Sequence, residues 1–438
     1  MIVPLDFDYS GAGSAEGNPA SRVLWLVVLA AGWGVLFARS RMSARVLRQT
    51  NVFFLVFLVL AICSTLWSID PATTFKRIVR LVIQSGAFFA LAVAGWRPRR
   101  FQHVIRPVLT LLLAGSIIFG LARPDLAIHR ETSPELLGAW HGLAVHKNGL
   151  GLLAAVGTLL WVQAFLSTDA GRLRAIAGAA IAFTCLILSR SSTCLMATVL
   201  SCLALTMLVK TPKSMSRGIR YFAIALTLVI LLYSMALLKI VPGLELLLAP
   251  IPMITGKDLS FTGRTEIWAL VLEHIQRRPL LGSGYGAYWV VGARPTPDQE
   301  SYSIMGALNG FYPGNSHNGY LDVLNDLGAI GLLCLLGYLI VFLRQSLRLC
   351  GTDRQQGALY LALLLQQAII NLSEARFFNN TIFVDFALMS FATTCLARDL
   401  LEARIPARPA PVPAPRHLAP GRAPKPPPSR LLVRPRQR

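Results

Sequence analysis

Charge is scarce in this chain of 438 residues: 14% are Asp, Glu, Lys or Arg, against 54% hydrophobic, and mean hydropathy is +0.56. An ordinary soluble domain carries about 25% charged residues, so a soluble fold of usual surface composition is excluded. Acids are the scarcer sign, 21 against 42 Lys and Arg. Cysteine is sparse too. All seven (Cys63, Cys185, Cys194, Cys202, Cys334, Cys350 and Cys395) fall in apolar runs or at their ends, so neither a disulfide framework nor a Cys-based metal site is expected. The first 21 residues lack a basic start and an apolar run of their own, which argues against a cleaved signal peptide and makes the first apolar run the anchor. A Rossmann unit is also missing: Gly282 to Ala287 spells a G-x-G-x-x-A string with no strand ahead of it.

Long apolar runs are what the chain has in abundance. A spanning helix needs about 20 mainly apolar residues, and eleven candidate cores lie at 23–38, 52–67, 78–95, 104–122, 149–166, 175–189, 193–209, 219–241, 327–343, 357–372 and 381–397. The expected fold is an all-α polytopic membrane protein with about 11 (10–12) transmembrane helices. It divides into an outward tail 1–21, eight spans in 22–241, a large outward loop 242–320 containing an amphipathic helix, three spans in 321–397, and a tail 398–438. With the N-terminus outside, the inner links hold 27 of the 42 Lys and Arg but only Asp169, Asp353, Asp399 and Glu402 among the 21 acids. That is the positive-inside bias. The net charge of +21 therefore reflects topology, not nucleic-acid binding. The Pro- and Arg-rich stretch from Pro406 to Arg438 has no apolar period and reads as a disordered cytoplasmic arm that can meet anionic lipid headgroups.

Ionisable residues concentrate at the outward ends of the spans. Asp70, in Trp67-Ser68-Ile69-Asp70-Pro71, reads either as a partner of Lys76, Arg77 and Arg80 or as a catalytic base. His129, His141 and His146 share one loop, but their spacing fits no compact zinc pattern. Asp6 and Asp8 sit in a flexible tail, without the fixed geometry a metal site needs. Lys147, beside His146 at the mouth of the fifth span, is a cation at the membrane surface. Arg190 occupies a turn of a few residues between two spans, where it either serves function or snorkels to headgroups.

The polar interval 239–320 is the longest. Leu244 to Ile254 is broken by Pro250 and Pro252 and reads as interfacial. Ile267, Leu270, Val271 and Ile275 recur at helical spacing, Thr262 suits the N-cap and Pro279 the stop, which puts Arg264 in the first turn. Glycines 282, 284 and 286 let the chain turn closely over a glycan or phosphate, with Tyr285, Tyr288 and Trp289 available for stacking on sugar. His317 precedes a helix in which Asp322 and Asp326 share a face, and a base that titrates near neutrality is useful there. Glu374 and Arg376 add an acid and a cation on the same side.

In order, Trp67-Ser68-x-Asp70-Pro71, His146-Lys147-Asn148, Ser189-Arg190-Ser191, Thr262-Gly263-Arg264-Thr265-x-x-Trp268, Arg278-Pro279-Leu280-x-Gly282-x-Gly284 and His317-Asn318 resemble the bacterial O-antigen ligase and polymerase superfamily. The exopolysaccharide polymerase branch looks most similar, and the likeness runs from the second span to Arg376. The resemblance implies an inner-membrane transferase that works on the periplasmic side. It would move a glycan from an undecaprenyl-diphosphate donor to a sugar hydroxyl, either polymerising repeat units or ligating glycan to lipid A core. In that reading Arg190, Arg264 and Lys147 stabilise the diphosphate and His317 deprotonates the acceptor, with Asp70, Asp322 or Glu374 assisting. No metal and no cofactor is required, since a diphosphate neutralised by cations leaves well. A lipid or sugar transporter is the rival class, but its ionisable groups would sit at the midplane of two related halves.

Overall fold

The computed structural model describes residues 19–94, 99–130, 136–210, 264–291, 314–378 and 383–403. The candidate span 219–241, Leu244 to Ile254, Thr262, Asp6, Asp8 and the tail beyond Ala403 lie outside those residues. The helices are α1 (Pro19–Ala38), α2 (Ser40–Gln49), α3 (Val52–Cys63), α4 (Pro71–Ala94), α5 (Arg100–Ala122), α6 (Pro124–Ala127) and α7 (Lys147–Ser167). They continue with α8 (Arg172–Leu188), α9 (Ser192–Lys210), α10 (Arg264–Arg277), α11 (Tyr288–Val291), α12 (Gly319–Thr352), α13 (Arg354–Ile370) and α14 (Phe383–Ala403). Among the described residues the only β feature is one isolated bridge, Ile128 to Trp140.

Five helices, α4, α5, α7, α9 and α12, are long and apolar enough to cross a membrane, and α1 with α2 forms a bent pair. The apolar core expected at 52–67 is a shorter helix, α3, closed by a 3-10 turn at Ser64–Leu66. α8 and α13 have 17 residues each. The core expected at 327–343 lies in α12, which is broken at Gly328 (φ 63°), so a short helix carrying Asp322 and Asp326 precedes the apolar part.

Leu111, Ile118, Leu121 and Leu173 are each at least 67% exposed on the outside of the bundle. Such a belt is an aggregation hazard in water and is the expected surface in hydrocarbon. α13 is the reverse case: Leu359, Tyr360, Ala362 and Leu363 are fully buried. Its Gln366 donates to Ala155 O (3.1 Å) and Ser201 Oγ (3.3 Å), as a polar side chain between packed helices must.

The links gather into two groups. At one, Arg99 pairs with Asp169 (2.7 Å) and Asp353 (3.6 Å), and Arg100 with Glu402 (2.8 Å), joining links the sequence assigns to one side. Asp399, buried in the same group, accepts from Gln356 Nε2 and from Tyr360 Oη, both at 2.9 Å. The other group holds the segments around Asp70, His146, Arg190, Arg264, His317 and Glu374.

Candidate active site

The second group is built from loops bolted to each other. Trp67 donates from Nε1 to Leu281 O (2.8 Å), Ile69 N donates to Ser283 O (2.9 Å), and Ser283 N to Asn325 O (3.0 Å). The glycine string is thereby held between the turn after α3 and the break in α12. The fit is close: a Cβ on Gly282 (φ 68°) would lie 2.6 Å from the Asp326 carbonyl, and one on Gly284 (φ 93°) 2.4 Å from Ser68 Oγ. These glycines turn the chain against protein, whereas the sequence suggested a turn over a glycan or phosphate.

α10 docks on this base. Ile267, Trp268 and Val271 are buried against Tyr288, Trp289 and Leu321, with Leu270 and Ile275 packed alongside, which is the apolar face the sequence periodicity predicts. Trp268 Nε1 donates to Ser316 O (2.7 Å), and His274 Nε2 hydrogen-bonds Ser283 Oγ (2.5 Å). Arg264, the first residue of α10, is thus fixed relative to His317.

His317 itself has a left-handed backbone, φ 52°, which a non-glycine residue adopts at a cost of about 1 kcal/mol or more. Its neighbours impose that conformation. Asn315 Oδ1 accepts from His317 N (2.9 Å), Asp322 Oδ1 from Ser316 N (2.9 Å), and Asn318 Oδ1 from Tyr320 N (3.0 Å) and Leu321 N (3.1 Å). Across the gap, Gly319 N donates to Asn371 O (2.9 Å), and Asn371 Oδ1 accepts from Arg376 N (2.9 Å). Asn371 thereby ties the loop after α13 to the loop before α12.

Glu374 is where these elements meet. Asn148 Nδ2 donates to its Oε1 (2.5 Å) and Arg264 Nη2 lies 3.3 Å from the same oxygen. Arg376 Nη2 is 3.4 Å from Oε2, and His317 Nδ1 is 3.9 Å from it, a charge contact longer than a hydrogen bond. Only 7% of Glu374 is exposed. Burial pushes its carboxyl upward, but the His317 ring and the charges of Arg376 and Arg264 outweigh that, holding it down to about 2. The site at rest is a ring of donors around one internal anion.

Of the three acids offered as partners of His317, Glu374 is the one that brings a carboxylate oxygen to 3.9 Å from its Nδ1. Asp70 instead caps α4 through Thr73 N (3.1 Å) and Thr73 Oγ1 (2.7 Å). Asp322 braces Ser316 and also accepts from Trp289 Nε1 (3.3 Å). Arg190 has a left-handed backbone (φ 52°) and donates from Nη1 to Leu137 O (2.9 Å), not to Glu374. It stays close in the fold, since Thr193 Oγ1 accepts from Ser373 Oγ (2.8 Å). The His146 ring accepts at Nδ1 from Asn148 N (3.3 Å) and so caps α7, and Lys147 N donates to His129 Nε2 (3.2 Å). His129 sits 4.7 Å from His141 and 5.2 Å from His146, ring to ring. Among the described residues no three His, Cys, Asp or Glu are arranged to hold a metal ion. Tyr285 and Trp289 are 4% and 5% exposed, and Tyr285 Oη donates to Phe378 O (2.5 Å). They line a narrow cavity with Arg77, Asp322 and Asp326.

Sequence reasoning passed over Asn148 as a site residue. It sits in the quoted His-Lys-Asn string, and only the fold sets its amide against an acid 226 residues away.

A multi-helix bundle with an apolar belt, carrying a cluster of cations, a histidine and a buried acid at one end, defines a polytopic membrane protein with a polar site at the helix ends. The O-antigen ligase family model matches residues 177–336, which include Arg190, Arg264 and His317. The chain is also similar to the exopolysaccharide production protein ExoQ of Rhizobium meliloti (strain 1021), 26% identical over 342 residues, 73% of this chain and 72% of that protein. Both matches are to O-antigen ligase and polymerase-like proteins, and they support a likeness of this chain to that family.

Proposed function

We propose that the protein transfers a glycan from an undecaprenyl-diphosphate-linked donor to a hydroxyl of an acceptor sugar, polymerising exopolysaccharide or O-antigen repeat units. The reaction takes place on the periplasmic side of the inner membrane, with the N-terminus outside and the C-terminus in the cytoplasm. The observation that carries this reading is the convergence of Arg264, Arg376, Asn148 and His317 on Glu374. The family match and the similarity to ExoQ agree with it.

The acceptor oxygen forms a bond to the anomeric carbon while that carbon's bond to the diphosphate breaks. The proton of the acceptor hydroxyl passes to His317, and undecaprenyl diphosphate leaves. His317 must be neutral before it accepts that proton and cationic afterwards. Glu374, ionised at working pH, stabilises the cationic form. Arg264 and Arg190 receive the charge that develops on the diphosphate, their planar forks matching two phosphate oxygens, and Lys147 adds a third cation. Arg376 holds Glu374 in place, and His146 holds the start of α7 on which Lys147 and Asn148 sit. Tyr285 and Trp289 shape the wall beside the acceptor.

The test is chain-length analysis of purified protein incubated with an undecaprenyl-diphosphate oligosaccharide, wild type against Arg264→Ala and Arg190→Ala. A ladder lost in both variants supports the polymerase and both cations, and one that survives in either variant removes that residue. Glycan on added lipid A core in place of a ladder makes the protein a ligase, and no product of either kind points to transport.

A further inference from the structure

We propose that the corner between α1 and α2 is a binding site for the headgroup of an anionic phospholipid. α1 runs as an apolar helix to Ala38, and the chain then turns by 96° into α2. With α1 spanning the bilayer, a right-angled turn at its end lays α2 in the interface plane, where amphipathic helices reside.

α2 has two unlike faces. Val46 is fully buried and, with Met42, packs on Phe89 and Val93 of α4 and on Ala397 and Leu401 of α14. The opposite face carries Arg41, Arg45 and Arg48, with Arg39 at the corner, all four exposed. None of them makes an ion pair among the described residues. The nearby acids of α14 are already engaged: Asp399 with Gln356 and Tyr360, and Glu402 with Arg100 and Arg398. Uncompensated guanidinium groups on a membrane face attract phosphate.

The site is preformed. Ser43 Oγ donates to Leu36 O (3.0 Å) across the corner, and Gln345 Nε2 donates to Gln49 O (2.8 Å) at the far end of α2, so the turn is held from both sides. A recess lies inside the turn, lined by Ala38, Arg39, Ser40, Arg41, Met42 and Arg45. Trp33 and Phe37, 41% and 72% exposed on the flank of α1, present an apolar surface for acyl chains next to it. Guanidinium groups above an apolar flank select a phosphodiester that carries a lipid tail over a free anion.

The full chain in neutral detergent is titrated with phosphatidylglycerol or phosphatidylcholine, and bound lipid is counted by native mass spectrometry. Phosphatidylglycerol is expected to bind in preference. R39Q/R41Q/R45Q should weaken it on the order of a hundredfold, at roughly the known contribution of each cation near a charged surface, while Arg48→Gln, outside the recess, keeps most of it. Equal binding of the two lipids, or an unchanged triple variant, overturns the proposal. So does inorganic phosphate that occupies the site and displaces the lipid at equal concentration, because the site would then take a free anion. Should the triple variant fail to fold, Arg41→Gln alone is expected to lose about fivefold, and no loss overturns the proposal in the same way.

Discussion

The side-chain amide of Asn148 donates to Glu374 Oε1 at 2.5 Å, linking the first turn of α7 to the loop after α13. The same oxygen faces Arg264 at 3.3 Å. One carboxylate therefore fixes three segments that are far apart in sequence, and removing its charge must disturb all of them. Glu374→Gln keeps the shape but removes the carboxylate charge that Arg264 and Arg376 face. Product formation is expected to fall by 100-fold or more, of the order seen when a preorganised charge is removed, with the protein still folded by size-exclusion chromatography.

The same carboxylate ties stability to pH. Glu374 is held down to about 2 in the folded protein, against 4.5 ordinarily. A depressed carboxyl contributes stability that is fully present above pH 4.5 and is lost as pH falls towards 2. The contribution is on the order of 3 kcal/mol. Thermal unfolding of wild type and Glu374→Gln should differ most above pH 5, by less as pH falls through 3, and converge only at about pH 2 and below. A constant difference across that range would show that the charge of Glu374 is not stabilising.

Arg264 tests the chemistry separately from the fold. It is 21% exposed at the start of α10, so Arg264→Ala leaves the helix's buried face intact. Activity is expected to drop by about 100-fold or more with little change in melting temperature. Arg264→Lys should recover only part of it, because an ammonium lacks the fork. Full recovery by Lys would mean that charge alone suffices.

His317 combines strain with function, and the two separate on substitution. Glycine adopts φ 52° freely, so His317→Gly is expected to melt higher than His317→Ala, by about 1 kcal/mol. Both should be inactive. An active His317→Gly enzyme would eliminate the ring as base.

Gly282 and Gly328 face each other across the loop and the α12 break. A Cβ on Gly328 (φ 63°) would lie 2.2 Å from the Leu280 carbonyl carbon. Gly282→Ala and Gly328→Ala are each expected to destabilise by several kcal/mol, since backbone atoms on both sides cannot yield. Limited proteolysis between α10 and α12 is the readout, and unchanged cleavage would refute the docking.

Much of this architecture is written locally. The apolar runs at 104–122, 149–166 and 193–209 fall inside single helices, and the described part of the run at 78–95 lies in α4, because a run of that length and composition has one stable form in a bilayer. The amphipathic period from Ile267 to Ile275 gives α10, and Pro279 follows its end. Other features depend on partners that no local pattern reveals. The run at 52–67 closes early because Ser64 Oγ bonds Ala61 O and accepts from Tyr285 N, a residue of the distant glycine loop. Gly328 breaks α12 because Leu280 and Leu281 press against it.

The site divides in the same way. Arg264, His317, Glu374 and Arg376 stand out in the sequence because ionisable groups are costly near hydrocarbon and so few of them occur there. Which acid faces His317 is a three-dimensional matter. Asp70 is nearest to a local helix start and becomes its cap, Asp322 is drawn to Ser316 and Trp289, and Glu374 alone is carried to the histidine by the Asn371 clamp. Among the described residues, the sequence by itself determined the helices that carry the apolar runs, the basic and polar links between them, and the residue types at the site. The tertiary structure decided which of them meet, because pairing depends on distances that only the packed bundle sets.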